Sequence, residues 1–322
     1  MERKIGERHR WVWMAAAETA VIAVELCRYN WISVAIGCAT VMLLHRCLDQ
    51  TVSEIGAAER ISQIKGVGKV LLVVGMLWAL VLLIWAANLA GKAFPAAGSS
   101  PLLGWILLGL AAWGSIKGAD ACAACCGVLC LFLLALYGVV AVFSLPDVNV
   151  EYLRPDGNPK DTIRCIGLLL PATVIWYLPG RKSEKKRNWD ITFFLPIGAV
   201  LLSAITGGVL SPELASKVRV PLYAVAQSVS LFGVVERIEP LLSAAMTMGI
   251  FSMLSLLGSV IKAMGNQIHP WKYYGVISCA LAGALMCVIK DINAFWLAAG
   301  SGIVSILLPV GSVVLEKRNN TH

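Results

Sequence analysis

The chain has 322 residues, 58% of them apolar and only 14% charged, with a formal net charge of +8. So little charge cannot coat a soluble globule of this size, which excludes an ordinary soluble enzyme. The basic excess does not call for nucleic acid, because a surface facing a membrane accounts for it.

Ten apolar runs follow one another: residues 11–27, 31–48, 68–90, 101–116, 121–145, 163–178, 190–210, 238–263, 273–289 and 294–315. A spanning helix needs roughly 17–25 mostly apolar residues, and the runs approach or reach that length. They are continuous, whereas a barrel would show segments of about ten residues alternating with period two. In lipid each backbone N–H must bond within its own segment, so these runs predict helices.

The first run follows a basic stretch, but Glu18 interrupts it and no small-residue cleavage pattern follows. It therefore reads as a retained span, not a signal peptide. Glu18 lies at mid-membrane, where an ionisable group costs on the order of 2.5–3.5 kcal/mol and usually faces the bundle interior. Glu25 sits seven residues later, on nearly the same helical face. One reading makes them a ligand- or proton-binding pair lining a cavity. The other holds Glu18 neutral by interhelical hydrogen bonds and pairs Glu25 with Arg28 at the surface. His45, beside Arg46 near a helix end, and His269, before Pro270 in a turn, read as interfacial.

The fifth run carries Cys122, Cys125, Cys126 and Cys130. At helical spacing Cys122, Cys126 and Cys130 share one face. No histidine stands nearby, and cysteine packs like a small hydrophobe, so the cluster reads as packing and not as a metal site. The sixth run holds Gly167 and Pro171 within GLLLPATVIWYLP, and proline removes a backbone donor. The longest polar connections are residues 49–67, 146–162 and 179–189. Residues 211–235 open polar and then run apolar from 220 to 235, which reads as an outer helical or re-entrant segment and not an eleventh span. Glu236-Arg237-Ile238-Glu239 precedes the eighth run; it reads either as a charge cluster at a helix start, which favours acids, or as a gating or assembly element. Trp11, Trp13, Trp31, Trp189 and Trp271 fall near span boundaries, as in an aromatic belt. Asn319-Asn320-Thr321 fits a glycosylation acceptor by chance, being on a cytoplasmic tail. No Walker loop, H-E-x-x-H or G-x-S-x-G motif occurs, so no enzyme activity, metal or cofactor is expected.

With the N-terminus in the cytoplasm and sides alternating through ten spans, 18 Lys and Arg residues fall inside and 8 outside, Arg237 lying in or beside a span. The inner set includes the Arg181–Arg187 loop, and both termini are then cytoplasmic. Ten spans also divide into two sets of five, residues 11–145 and 163–315, within one membrane domain. Transporters built from inverted repeats interrupt matching helices, here the first and sixth, at the ligand site. On that geometry Glu18, Gly167 and Pro171 are the candidate ligand-binding residues. Glu236, Arg237 and Glu239 are the candidate gating or assembly residues.

The stretch SLFGVVERIEPLLSAAMTMGIFSMLSL, residues 230–256, resembles the signature region of the spore germination permease family, the GerAB-type B subunits of nutrient germinant receptors. Its elements are Phe232, Glu236-Arg237-Ile238-Glu239 and Gly249-Ile250-Phe251. SLPDVNVEYLRP at 144–155, WGSIKGAD at 113–120 and KGVGKVLLVVGMLW at 65–78 are similar to further family segments, in the same order. The chain departs from the family at Ala15-Ala16-Ala17-Glu18, where a glycine is usual, at Ala124, where an arginine is common, and at Glu239, where aspartate is commoner.

That resemblance implies an all-α integral membrane protein of ten transmembrane helices with the LeuT-like inverted five-helix repeat. It also implies a small nutrient ligand such as an amino acid, and a complex with A- and C-type germination receptor subunits in the spore inner membrane. Two other readings stand beside it, a secondary active amino-acid transporter and a scaffold subunit that has lost its ligand site.

Overall fold

A computed structural model describes residues 5–52, 56–64, 66–93, 101–181, 191–228, 239–289 and 292–319. The chain is an all-α membrane protein. Among the described residues, five helices are long and apolar enough to cross a membrane: Trp31–Gln50, Gly68–Ala93, Ala119–Asp147, Glu239–Ile268 and Ala294–Val313. Leu102–Lys117, Leu195–Leu210 and Tyr274–Met286 are shorter apolar helices.

In chain order the helices are α1 (Glu7–Val24), α2 (Trp31–Val52), α3 (Ala57–Ser62), α4 (Gly68–Ala93), α5 (Leu102–Lys117) and α6 (Ala119–Ser144). Then come α7 (Pro159–Leu169), α8 (Ile191–Leu210), α9 (Pro212–Lys217), α10 (Pro221–Ser228), α11 (Glu239–Ile268), α12 (Tyr274–Met286), α13 (Ala294–Ser301) and α14 (Leu308–Asn319). A short 3-10 turn, Leu26–Arg28, follows α1.

Local sequence explains the boundaries. Gly118 takes φ 111° between α5 and α6, a conformation open to glycine, and so turns one helix sharply into the next. Asn158 and Asn293 cap α7 and α13, each accepting a backbone N–H at 3.0 Å, and Pro159 fills the first position of α7.

α11 is the centre of the bundle, with 78% of its apolar window buried. α4, α1, α5 and α6 pack around it. Small residues permit this crowding. Ala15, Ala16, Ala17 and Ala20 of α1 are fully buried, and a Cβ built on Gly249 of α11 would stand 2.9 Å from the Ala20 Cβ. Cys122, Cys126 and Cys130 are buried on α6, and Cys126 Sγ meets Ser255 Oγ of α11 at 3.7 Å. Packing is thus what this cysteine face does.

Further pairs complete the bundle. α2 packs on α8 and α7, α12 on α5 and α4, and α13 on α7. At one end, β1 (Ile5–Gly6) pairs in parallel with β2 (Gly180–Arg181), tying the N-terminal segment to the stretch that follows Tyr177. In the 211–235 region, α9 and α10 are short helices lying against α8, and α10 also touches α11; residues 229–235 lie outside the described residues.

Two interruptions have identifiable causes. After Leu169 the α-helix tightens into a 3-10 helix, Leu170–Tyr177. Pro171 lies in its first turn and cannot donate to the Gly167 carbonyl. In the last span a π-helical stretch, Gly302–Leu307, separates α13 from α14. Pro309 stands five residues after Val304, so the Val304 carbonyl loses its π-type partner. The Tyr177 hydroxyl donates to that same carbonyl. One proline leaves an acceptor bare, and the broken helix supplies a donor.

Candidate functional site

Glu18 is 6% exposed and lies midway along α1. Its Oε1 faces His45 Nδ1 of α2 at 3.8 Å, too far for a hydrogen bond. Among the described residues Glu18 Oε1 and His45 Nε2 have no hydrogen-bond partner. A cavity of about 20 Å³ lies beside them, walled by Trp11, Met14, Cys38, Leu169 and Pro196 among others. That is the size of one water molecule, and two polar groups are there to hold it.

His45 is therefore not interfacial as its neighbour Arg46 suggested; it is 3% exposed inside the bundle. The signal was periodic. His45 falls in phase with Val34, Cys38, Val41 and Leu48, the buried face of α2, whereas Leu43 and Arg46 point outward.

The sixth-run residues take separate places. Leu169 shares the cavity with Glu18. Gly167 turns away, toward α13, where a Cβ would meet the Ala298 Cβ at 2.8 Å. Pro171 is fully enclosed and is not in the cavity lining. Trp176, at the far end of the 3-10 segment, carries the Arg10 guanidinium 4.5 Å above its ring and meets Trp11 edge-on at 5.3 Å. Glu239 opens α11 with one carboxylate oxygen buried and without a hydrogen-bond partner among the described residues. Glu236 and Arg237 lie outside the described residues.

Glu25 is buried and doubly paired. Lys92 Nζ of α4 donates to its Oε1 at 2.8 Å, and Arg28 approaches its Oε2 at 3.4 Å. The Arg28 partner agrees with one of the two sequence readings, but the pair's carboxylate is buried and not at the surface as that reading had it. Lys92 lies 67 residues away, and local spacing carries no sign of it.

This pair borders a chamber of about 240 Å³ between α1, α4, α7 and α13, lined by Glu25, Tyr29, Trp85, Asn88, Lys92, Arg164 and Asn293 among others. Tyr29 and Arg164 also line a larger vestibule of about 1050 Å³ with Glu151, Arg154, Asp161 and Glu213. They form the partition between the two spaces. Burial pushes the Tyr29 hydroxyl up to about 12, the Glu25 carboxylate adding to the shift and Arg28 opposing it. Tyr29 therefore stands in that partition as a neutral phenol.

Fold and site together define a polytopic all-α membrane protein with ionisable groups in its interior and a polar chamber near one end. Comparison of the sequence with protein-family models and with curated proteins returns no match.

Proposed function

We propose that this chain is the nutrient-sensing, permease-like subunit of a spore germination receptor, folded as ten membrane spans in two inverted sets of five. The spans are α1, α2, α4, α5, α6, α7 with its 3-10 extension, α8, α11, α12 and α13 through α14. The pattern of neighbours is the observation that carries the repeat. The second span packs on the seventh, the third on the eighth and the fourth on the ninth. The first packs on the fifth as the sixth does on the tenth, and the first on the seventh as the sixth does on the second. Exchanging the two sets leaves these pairings unchanged, as a two-fold axis in the membrane plane requires.

Sidedness has similar support. Groups expected outside meet one another: Arg28 donates to the Arg219 carbonyl, Arg219 to the Gly91 carbonyl and Asn30 to the Arg154 carbonyl. Groups expected inside do likewise, through the Ile5–Gly180 pairing and the bond from Lys262 to the Ser115 carbonyl. These contacts support a common side for each set; the cytoplasmic placement of the termini rests on the 18-to-8 division of Lys and Arg.

A sensor differs from a transporter in what must move. A sensor shifts a population felt by its partners; a transporter must open the same site to both sides. The continuous α1 and the water-sized space at Glu18 favour the sensor. The break at Leu170 favours transport. Partner A- and C-type subunits and the spore inner membrane rest on the family resemblance alone.

Co-expression with A- and C-type subunits tests the proposal. Stable co-purification, with no concentrative uptake of labelled amino acids by the isolated chain in proteoliposomes, is the expected result. Robust uptake without partners replaces this reading with the amino-acid transporter. Neither assembly nor uptake refutes both.

A further inference from the structure

We infer that the 240 Å³ chamber between α1, α4, α7 and α13 binds a small monocarboxylate, the zwitterionic amino acids included. The inference deepens the sensor reading by giving it a ligand class and a place, and it rests on that reading for its biological use alone.

The charge balance of the lining points to an anionic group. Lys92 and Arg164 stand against one carboxylate, Glu25, which Arg28 also approaches from outside the chamber. Among the described residues Arg164 has one ion pair, an exposed one with Asp161 at 3.3 Å, and its side chain is 53% exposed. An exposed pair of this kind is worth little and yields readily to a better partner. The guanidinium is a fork suited to a carboxylate. α13 also begins at the chamber, and the start of a helix favours negative charge.

Neutral polar groups add direction. Asn293 spends its carbonyl oxygen on the Phe295 N–H, which leaves its amide as a donor. Asn88 spends its amide on the Ile289 carbonyl at 2.6 Å, which leaves its oxygen as an acceptor. The remaining lining is Trp85, Leu89 and Leu168, which are buried, with Ile292 and Ala294, which are half-buried. Polar groups placed to converge on one space are what fix a ligand's orientation in small-molecule sites. Access lies past Tyr29 and Arg164, the partition shared with the open vestibule.

The midplane is the rival location. Its cavity at Glu18, about 20 Å³, has room for one water and no organic ligand.

The test uses the purified full chain in lipid nanodiscs, with L-leucine, 4-methylpentanoate and L-leucinamide as probes and saturable binding as the readout. Both carboxylates are expected to bind and the amide to bind at least tenfold more weakly. Arg164→Gln and Lys92→Gln should each weaken carboxylate binding at least tenfold, while Glu18→Gln leaves it unchanged. Arg164 is exposed, so its variant remains informative if Lys92→Gln misfolds; thermal melts report folding for both. If Glu25 takes an amine, Glu25→Gln removes any preference for leucine over 4-methylpentanoate; retention of that preference overturns the amino-acid extension. Absence of saturable carboxylate binding overturns the inference. So does binding that ignores Arg164→Gln, or that Glu18→Gln abolishes. None of these outcomes touches assembly with A- and C-type subunits, so the sensor reading fails separately, on co-purification.

Discussion

The first and sixth spans meet their neighbours by the same chemistry and diverge in continuity. α1 is an unbroken helix whose alanines lie along α11, with Gly249 admitting Ala20. The sixth span lies along α13, with Gly167 admitting Ala294 and Ala298, but its backbone changes to 3-10 at Leu170. Both seams depend on a missing Cβ. The spans differ more in a second comparison, that of α1 on α11 with the sixth span on α4. α1 packs along α11, whereas the sixth span makes no comparable contact with α4. The chamber holding Glu25, Lys92 and Arg164 occupies that place. Along the α1–α11 seam the bundle is closed; between α7 and α4 it opens.

The harshest way to break the comparison is to fill each seam. Gly249→Leu and Gly167→Leu both put bulk where even a Cβ is crowded, by the Ala20 Cβ at 2.9 Å and the Ala298 Cβ at 2.8 Å. Overpacking costs about 1–3 kcal/mol and occasionally more. Gly167→Leu should cost the more, because a Cβ there also runs into the Ala294 backbone carbonyl, which cannot rotate away. Melting curves in detergent rank the two. Equal tolerance of both leucines contradicts the close seams.

Next in size is Tyr177→Phe. It removes the donor to the Val304 carbonyl and strands an acceptor in a fully buried place. Leaving such a group unpaired costs about 1–3 kcal/mol. The expected loss of stability is absent if a water or a shift of the π-helical stretch replaces the hydroxyl.

Much of the bundle was legible because lipid leaves few choices: apolar runs must be helices, and their lengths are set by the bilayer. Pro171 announced the break in the sixth span because a missing N–H is a local property. Glu18 announced itself through its cost. Its partner did not, since His45 sits beside a charged neighbour that suggests an interface, and only the phase of the buried face of α2 gives it away. Lys92 and Arg164 were further out of reach, because the chamber they share with Glu25 exists only once α4 and α7 stand beside α1. No spacing along the chain encodes such a meeting. The π-helical stretch at Gly302–Leu307 was hidden for a related reason: Pro309 marks a defect, but which turn absorbs it depends on Tyr177.

A smaller effect is expected from the Glu18–His45 pair. At 3.8 Å, with free polar atoms on both sides, the two groups interact through whatever fills the space between them. Glu18→Gln, His45→Gln and the double variant form a cycle, and a coupling of about 1 kcal/mol is expected for neighbours of this kind. Strict additivity places the two groups in separate environments. The comparison sharpens either way, since α1 owes its continuity to alanine packing and not to this pair.

The smallest expected effect is that of Pro171→Ala, and its smallness is the point. An interior proline in a regular helix costs about 3 kcal/mol or more, so removing one normally stabilises. Pro171, however, lies where the helix is already passing from α to 3-10, so an alanine there gains at most one backbone bond, to the Gly167 or Leu168 carbonyl. Other contacts fix the geometry around it. The Thr173 hydroxyl donates to the Leu170 carbonyl at 2.6 Å, Tyr177 is tied to Val304, and Trp176 is held between Trp11 and Arg10. Stability should therefore change by less than about 1 kcal/mol, and amide exchange across 170–177 should keep its unequal protection. A gain of about 3 kcal/mol with uniform protection makes proline alone the cause of the break. The sixth span then differs from the first by one residue, and not by what its neighbours demand of it.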